Sequence, residues 1–368
     1  MPRYRKSTPW RIALAAVLGT ILAASCARGP VTGGPKNRAY AVSAWDQVRG
    51  RMLLVEGQYG ANVTPVPSWT WDPAARVWEK MAGLGAPMPT VALDWDADRK
   101  KAVCFVSTRW HGMPTATLEE VVDNVSETWE YDATADAWTR LETIGTPTPG
   151  LLGSRMVYDA KARRMVLFGG YVTHGPGMGY ANETWAFDPA TAAWTLMAPP
   201  ESPAGRNYHE MAWDRTSGLV VAYGSDQSPG GPGSTKPFET TTWLYDLAAN
   251  AWKAVEATPN PGPVVYAAMV GVPELGGCLL FGGVSNHGEK PRAGTWLFTV
   301  AGGWSRIETT AEPTPRGWHS MAYDPVGQIV WLYGGGSRRN TATSELWYFD
   351  LKDRDWHRIE RDAGSYGD

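Results

Sequence analysis

Arginine and histidine recur together in this chain. The stretches Arg206-Asn207-Tyr208-His209 and Arg316-Gly317-Trp318-His319 share the order Arg-x-x-His, and guanidinium groups beside imidazoles could hold an anion through charge-assisted hydrogen bonds. The same groups could instead satisfy buried carbonyls and ion pairs. Two histidines also make the beginning of a metal site, but spacing fixes no carboxylate beside them, so no metal is expected. A second set is scattered through polar segments of variable length: Arg109, Trp110, His111, Tyr171, His174, Tyr180, His287, Arg292, Arg338 and Arg339. Aromatic rings beside cations and imidazoles suit a sugar or an acidic peptide, gripped by stacking and charged hydrogen bonds. The chain has no nucleophile elbow, Ser/His/Asp order, HExxH or phosphate loop, and no cofactor is expected.

These side chains belong to a chain of 368 residues with a net charge of −3, 43% hydrophobic and 19% charged. Such a composition can bury a large core, and it has no basic excess to recruit nucleic acid. Forty-one Gly and 28 Pro demand many turns and disfavour long helices, while 20 Trp call for a specific explanation. Cys104 and Cys278 each sit inside an apolar run, as small buried hydrophobes would.

The N-terminus reads as an address. Arg3, Arg5, Lys6 and Arg11 precede an apolar run from Ile12 to Ala24, too short to span a bilayer and suited to a cleaved secretory signal over residues 1–26. Ala23-Ala24-Ser25-Cys26 resembles a bacterial lipobox, with Leu22 one place early. That resemblance implies lipidation of Cys26; the alternative is ordinary cleavage after Ala27 and a soluble secreted or periplasmic protein. Residues 27–37, rich in Gly and Pro, would form a flexible tether holding a folded domain off a membrane.

A repeat of about 50 to 60 residues explains the tryptophans. Trp69/Trp78, Trp129/Trp138, Trp185/Trp194, Trp243/Trp252, Trp296/Trp304 and Trp347/Trp356 recur in the frame Trp-x-aromatic-Asp followed by a second Trp, with the fifth copy carrying Thr299 for Asp. Upstream of each pair lie an alternating segment, then an apolar run, which in several copies ends in a Gly doublet, as in 165–170 and 279–283. The unit is a four-stranded antiparallel meander. One such sheet cannot hide two apolar faces, so neighbours must stack round an axis, with the paired Trp filling the widening gaps.

Paired glycines after an apolar strand, followed by an aromatic and a Trp at fixed spacing, resemble kelch repeats. The resemblance covers residues 38–360 and implies an all-β, six-bladed kelch-type β-propeller of bacterial exported type. Its blades, each contiguous in sequence, run over about 38–82, 88–142, 151–198, 206–256, 264–308 and 316–360, with a tail at 361–368. Closure would come from packing the first blade on the last. The loops after the Gly doublets share one face with the starts of the inner strands, which brings Arg38, Arg206, Arg316, His209 and His319 to the channel mouth. Variable length marks that face as the working one. The expected function is non-catalytic binding of a protein or glycan there. One alternative is an enzyme that resembles periplasmic sialic-acid epimerases, which would use Glu210 beside Arg206 and Arg316. Another is a structural part of an envelope complex. The segment Glu119 to Glu127 is similar to the iron-binding loop of plant kelch specifier proteins, with Glu127 where that family has His; a solvated helix turn is the expectation there.

Overall fold

The alternating and apolar runs form strands throughout. The computed structural model describes residues 33–55, 67–84, 88–110, 122–225, 239–285, 290–338 and 341–360. Six four-stranded antiparallel sheets follow one another along the chain, each contiguous in sequence, in an all-β propeller architecture. Their innermost strands are Val42–Asp46, Met88–Asp96, Arg155–Asp159, Glu210–Asp214, Ala268–Val272 and Gly317–Asp324. Each packs beside the next, and the first packs beside the last. The Asp ending most of these strands shapes the following turn: Asp46 Oδ1 accepts the backbone N–H groups of Val48 and Arg49, and Asp159 and Asp324 repeat the arrangement.

The packing corrects one sequence expectation. The two Trp of each frame do not fill the gaps together. The buried partner of the second Trp is the aromatic two places after the first, directly opposite it across the outer pair of strands. Trp71–Trp78, Tyr131–Trp138, Phe187–Trp194, Tyr245–Trp252, Phe298–Trp304 and Phe349–Trp356 all have ring centroids 4.8–5.4 Å apart. Of the leading Trp only Trp69 is buried; the other five are partly exposed. Four of these five, all but Trp296, give their indole N–H to a nearby glutamate, as Trp185 does to Glu183 at 2.8 Å.

Each of the last four second-Trp indoles also reaches the preceding sheet. Trp194, Trp252, Trp304 and Trp356 donate Nε1–H to Thr128, Thr184, Thr242 and Thr295 at 2.7–2.9 Å, satisfying a buried donor at every step. Leu346 replaces the threonine where the last sheet meets the first. There, among the described residues, the Trp78 N–H has no acceptor, and its ring packs edge-on against Tyr333 instead.

The Gly doublets take the backbone of the neighbouring sheet. Gly170, Gly283 and Gly335 donate N–H to the carbonyls of Arg206, Arg316 and Arg38 at 2.7–2.9 Å. The glycines before them have positive φ, and a Cβ on any of the three would lie 2.5–2.7 Å from the same oxygens. One of these clamps, Gly335 to Arg38, joins the last sheet to the first. Tyr333 OH to the Pro35 carbonyl and Ser43 Oγ to Ser320 Oγ add to that junction.

Candidate functional site

The inner strands begin at one end of a narrow central channel and finish at the other, so the two ends draw on different layers of the repeat. At the starting end, Arg206 and Arg316 are buried and turned into the protein. Arg206 donates to the carbonyls of Ala204 and Gly224 and pairs with Glu239. Arg316 does the same with Thr314, Gly334 and Glu345. Arg38 is buried as well. His209 and His319 pack edge-on against Phe168 and Phe281, beside Gly169 and Gly282. Burial, followed by the neighbouring arginine, holds the His319 imidazole down at about 3 and His209 well below its ordinary value. The geometry is that of internal satisfaction of carbonyls and ion pairs, not of an anion cradle.

Other expected site residues are dispersed. Arg109 and Trp110 lie at the end of the strand Lys101–Trp110 and not in a loop, because that strand pairs onward with Val122–Asp132. The latter strand also replaces the expected helix turn around Glu127. Glu127 is engaged by Arg109 at 2.6 Å and by the Trp129 indole at 2.9 Å. Tyr171 and Tyr180 face each other in a small added ladder, with rings 5.0 Å apart. His174 meets Thr173 at 3.0 Å, and its carbonyl accepts from Asn124 of the preceding sheet. Arg292 donates to the Pro261 carbonyl, and Arg338 is exposed in a turn closed by Thr341. His111, His287, Arg339, Glu119 and Cys26 lie outside the described residues. Among the described residues no three His, Cys, Asp or Glu side chains form a metal-binding group.

What the starting end does bring together is an aromatic cluster that the sequence reading passed over. Tyr40, Tyr208, Tyr266 and Trp318 come from four different sheets, and their rings lie 4.7–6.3 Å apart. All four backbones have positive φ, between 47° and 62°, a conformation that bulky residues avoid. A chain of backbone hydrogen bonds runs through them: Tyr208 N–H to Gly153 O, Tyr266 to Tyr208, Trp318 to Tyr266 and Tyr40 to Trp318, at 2.8–3.2 Å. The signal was present, since each of these four units carries an aromatic two residues after Arg38, Arg206, Val264 or Arg316.

Below that cluster the channel narrows to about 100 Å³, where Glu210 faces Arg155 at 3.1 Å. Burial pushes the Glu210 carboxyl up to about 7 despite the arginine. Glu210 is thus paired with Arg155, not with Arg206 or Arg316 as the enzymatic alternative would have it. A belt of Met156, Met211, Met269 and Met321 separates this chamber from a larger cavity of about 370 Å³ at the hairpin end.

Four-stranded sheets set side by side, with residues of all six innermost strands lining one channel, define a β-propeller. The chain belongs to the Attractin/LZTR1 beta-propeller family, which residues 57–290 match. The same repeating sheet continues on both sides of the matched residues, to Val42 and to Ile359.

Proposed function

We propose that this protein is an exported six-bladed propeller, closed by its first and last sheets, that binds a protein or glycan ligand non-catalytically through the loop face. The observation that carries the reading is the Tyr40, Tyr208, Tyr266 and Trp318 cluster. Left-handed backbone at a bulky residue costs on the order of 1 kcal/mol each, and four such residues meet at one mouth, three with their rings partly exposed. Aromatic faces grouped in this way suit the C–H face of a sugar ring. The enzymatic alternative needed Glu210 beside Arg206 and Arg316, and those arginines have other partners.

Glycan-array and pull-down binding with the Tyr208→Ala and Tyr266→Ala variants tests this. Each variant should lose at least tenfold in affinity while keeping the wild-type circular dichroism. Undiminished binding by both folded variants would remove the loop mouth as the site.

Export rests on the N-terminal signal and Cys26. If a lipid holds the protein to a membrane, Cys26→Ser should move it from the membrane pellet to the soluble fraction. An unchanged distribution, read by fractionation, would mean that no lipid on Cys26 holds it.

A further inference from the structure

The larger cavity lies at the opposite end from the proposed ligand face, and the repeat supplies its own internal control there. Stacking the six inner strands in register brings one layer of aromatic side chains to the wall: Trp45, Trp95, Tyr158, Trp213 and Tyr323, with Gly271 in the fifth copy. One residue earlier, five copies carry a small aliphatic side chain: Ala44, Val157, Ala212, Val270 and Ala322. Only the second copy departs, placing Asp94 on the cavity.

The Asp94 carboxylate accepts one backbone N–H at each oxygen, from Trp95 at 2.8 Å and from Tyr158 at 2.7 Å. Among the described residues no basic side chain pairs with it, and burial lifts its carboxyl to about 6. A second acid, Glu274, lines the rim and accepts the Tyr323 hydroxyl. Arg215 is the one basic side chain among the lining residues, and its guanidinium carbon lies 5.9 Å over the Trp213 ring. The protein thus already places one of its own cations on this aromatic wall, while the carboxylate deeper in lacks a counter-charge. Aromatic faces attract a cation through the ring quadrupole, and more strongly where water is excluded. A cavity of about 370 Å³ falls in the ordinary range for small ligands.

We propose that this hairpin-end cavity is a binding site for a small organic ammonium ion, with the aromatic layer as its wall and Asp94 as its counter-ion. Arg215 then acts as a tethered competitor at the rim. A neutral sugar could hydrogen-bond the carboxylate but would leave its charge uncompensated, whereas a cation supplies the counter-charge and also gains the rings.

The test is a titration of the full chain with choline, and with its uncharged carbon isostere 3,3-dimethylbutan-1-ol, followed by tryptophan fluorescence and calorimetry. Choline should bind at least tenfold more tightly than the isostere. Asp94→Asn should weaken choline at least tenfold, and Arg215→Ala, a change at the rim, should tighten it. Equal binding of the isostere, no binding of choline, or an Arg215→Ala variant that binds no better than the wild type would each overturn the proposal. The arginine variant and the isostere comparison decide the matter even if Asp94→Asn does not fold. Tyr208→Ala, at the other mouth, should leave choline binding unchanged, so this site stands or falls separately from the loop face.

Discussion

Gly334→Ala is expected to destabilise the protein by roughly 3 kcal/mol or more, combining left-handed strain with overpacking. Gly334 holds φ at +75°, and an added Cβ would lie 2.7 Å from the Arg38 carbonyl oxygen. That oxygen accepts the Gly335 N–H at 2.9 Å, so the methyl group cannot be seated without spreading the first sheet from the last. A single substitution therefore challenges the junction between the first and last sheets. Gly50→Ala is the matched control. Its φ is +66°, but nothing lies within 4 Å of the added carbon, leaving only conformational strain of about 1 kcal/mol. Urea unfolding of the two variants separates strain from interface. Equal loss in both would mean that the glycine clamp contributes nothing to that junction.

The fold was legible because the repeat writes it several times over. Alternating inner strands, apolar second strands and Trp frames each predict strands locally, and six copies agree. What a single copy cannot say is which face of a strand looks into the next sheet. The leading Trp and the aromatic two places on share one strand face, so period-two reasoning treats them alike. The difference arises from the partner across the strand pair: Phe187 lies opposite Trp194, whereas Trp185 lies opposite Leu196, which is exposed. Burial is settled by that pairing and by the glutamate that ties the leading indole near the surface.

Sites were harder to read for a related reason. Arg206 and Arg316 have the composition of an anion site, but charge alone does not say whether a guanidinium faces solvent or the carbonyl of its own sheet. Variation in loop length points to the loop face, and that argument cannot see the hairpin end at all. The cavity there draws on all six inner strands, so it exists in no local stretch of sequence. Asp94 sits inconspicuously in Ala92-Leu93-Asp94-Trp95-Asp96. It becomes unusual only when set beside Ala44, Val157, Ala212, Val270 and Ala322, once the strands have fixed the register.

Glu210→Gln should stabilise the protein at pH 8 and leave it nearly unchanged at pH 4.5. The Glu210 carboxyl is raised from 4.5 to about 7 in the folded chain, so the folded state binds the extra proton and stability falls as pH climbs through that interval. At about 1.4 kcal/mol per unit, the cost of the ionised form at pH 8 is roughly 3 kcal/mol, which a neutral glutamine avoids while still offering Arg155 an acceptor. Asp94 acts in the same direction between 3.8 and about 6. His209 and His319 act in the opposite one: their pKa values are depressed, to about 3 for His319, so acidification below 6.5 favours the unfolded chain. The wild-type profile is therefore flattened by opposing groups. Removing Glu210 should expose the histidine contribution as a stability that rises from pH 5 to 7. Chemical denaturation at several pH values reads this directly. A variant weaker than the wild type at pH 8 would show that the Arg155 pair outweighs desolvation. The expected gain has the opposite meaning: desolvation of this channel carboxylate, placed between the aromatic mouth and the methionine belt, outweighs its pair with Arg155.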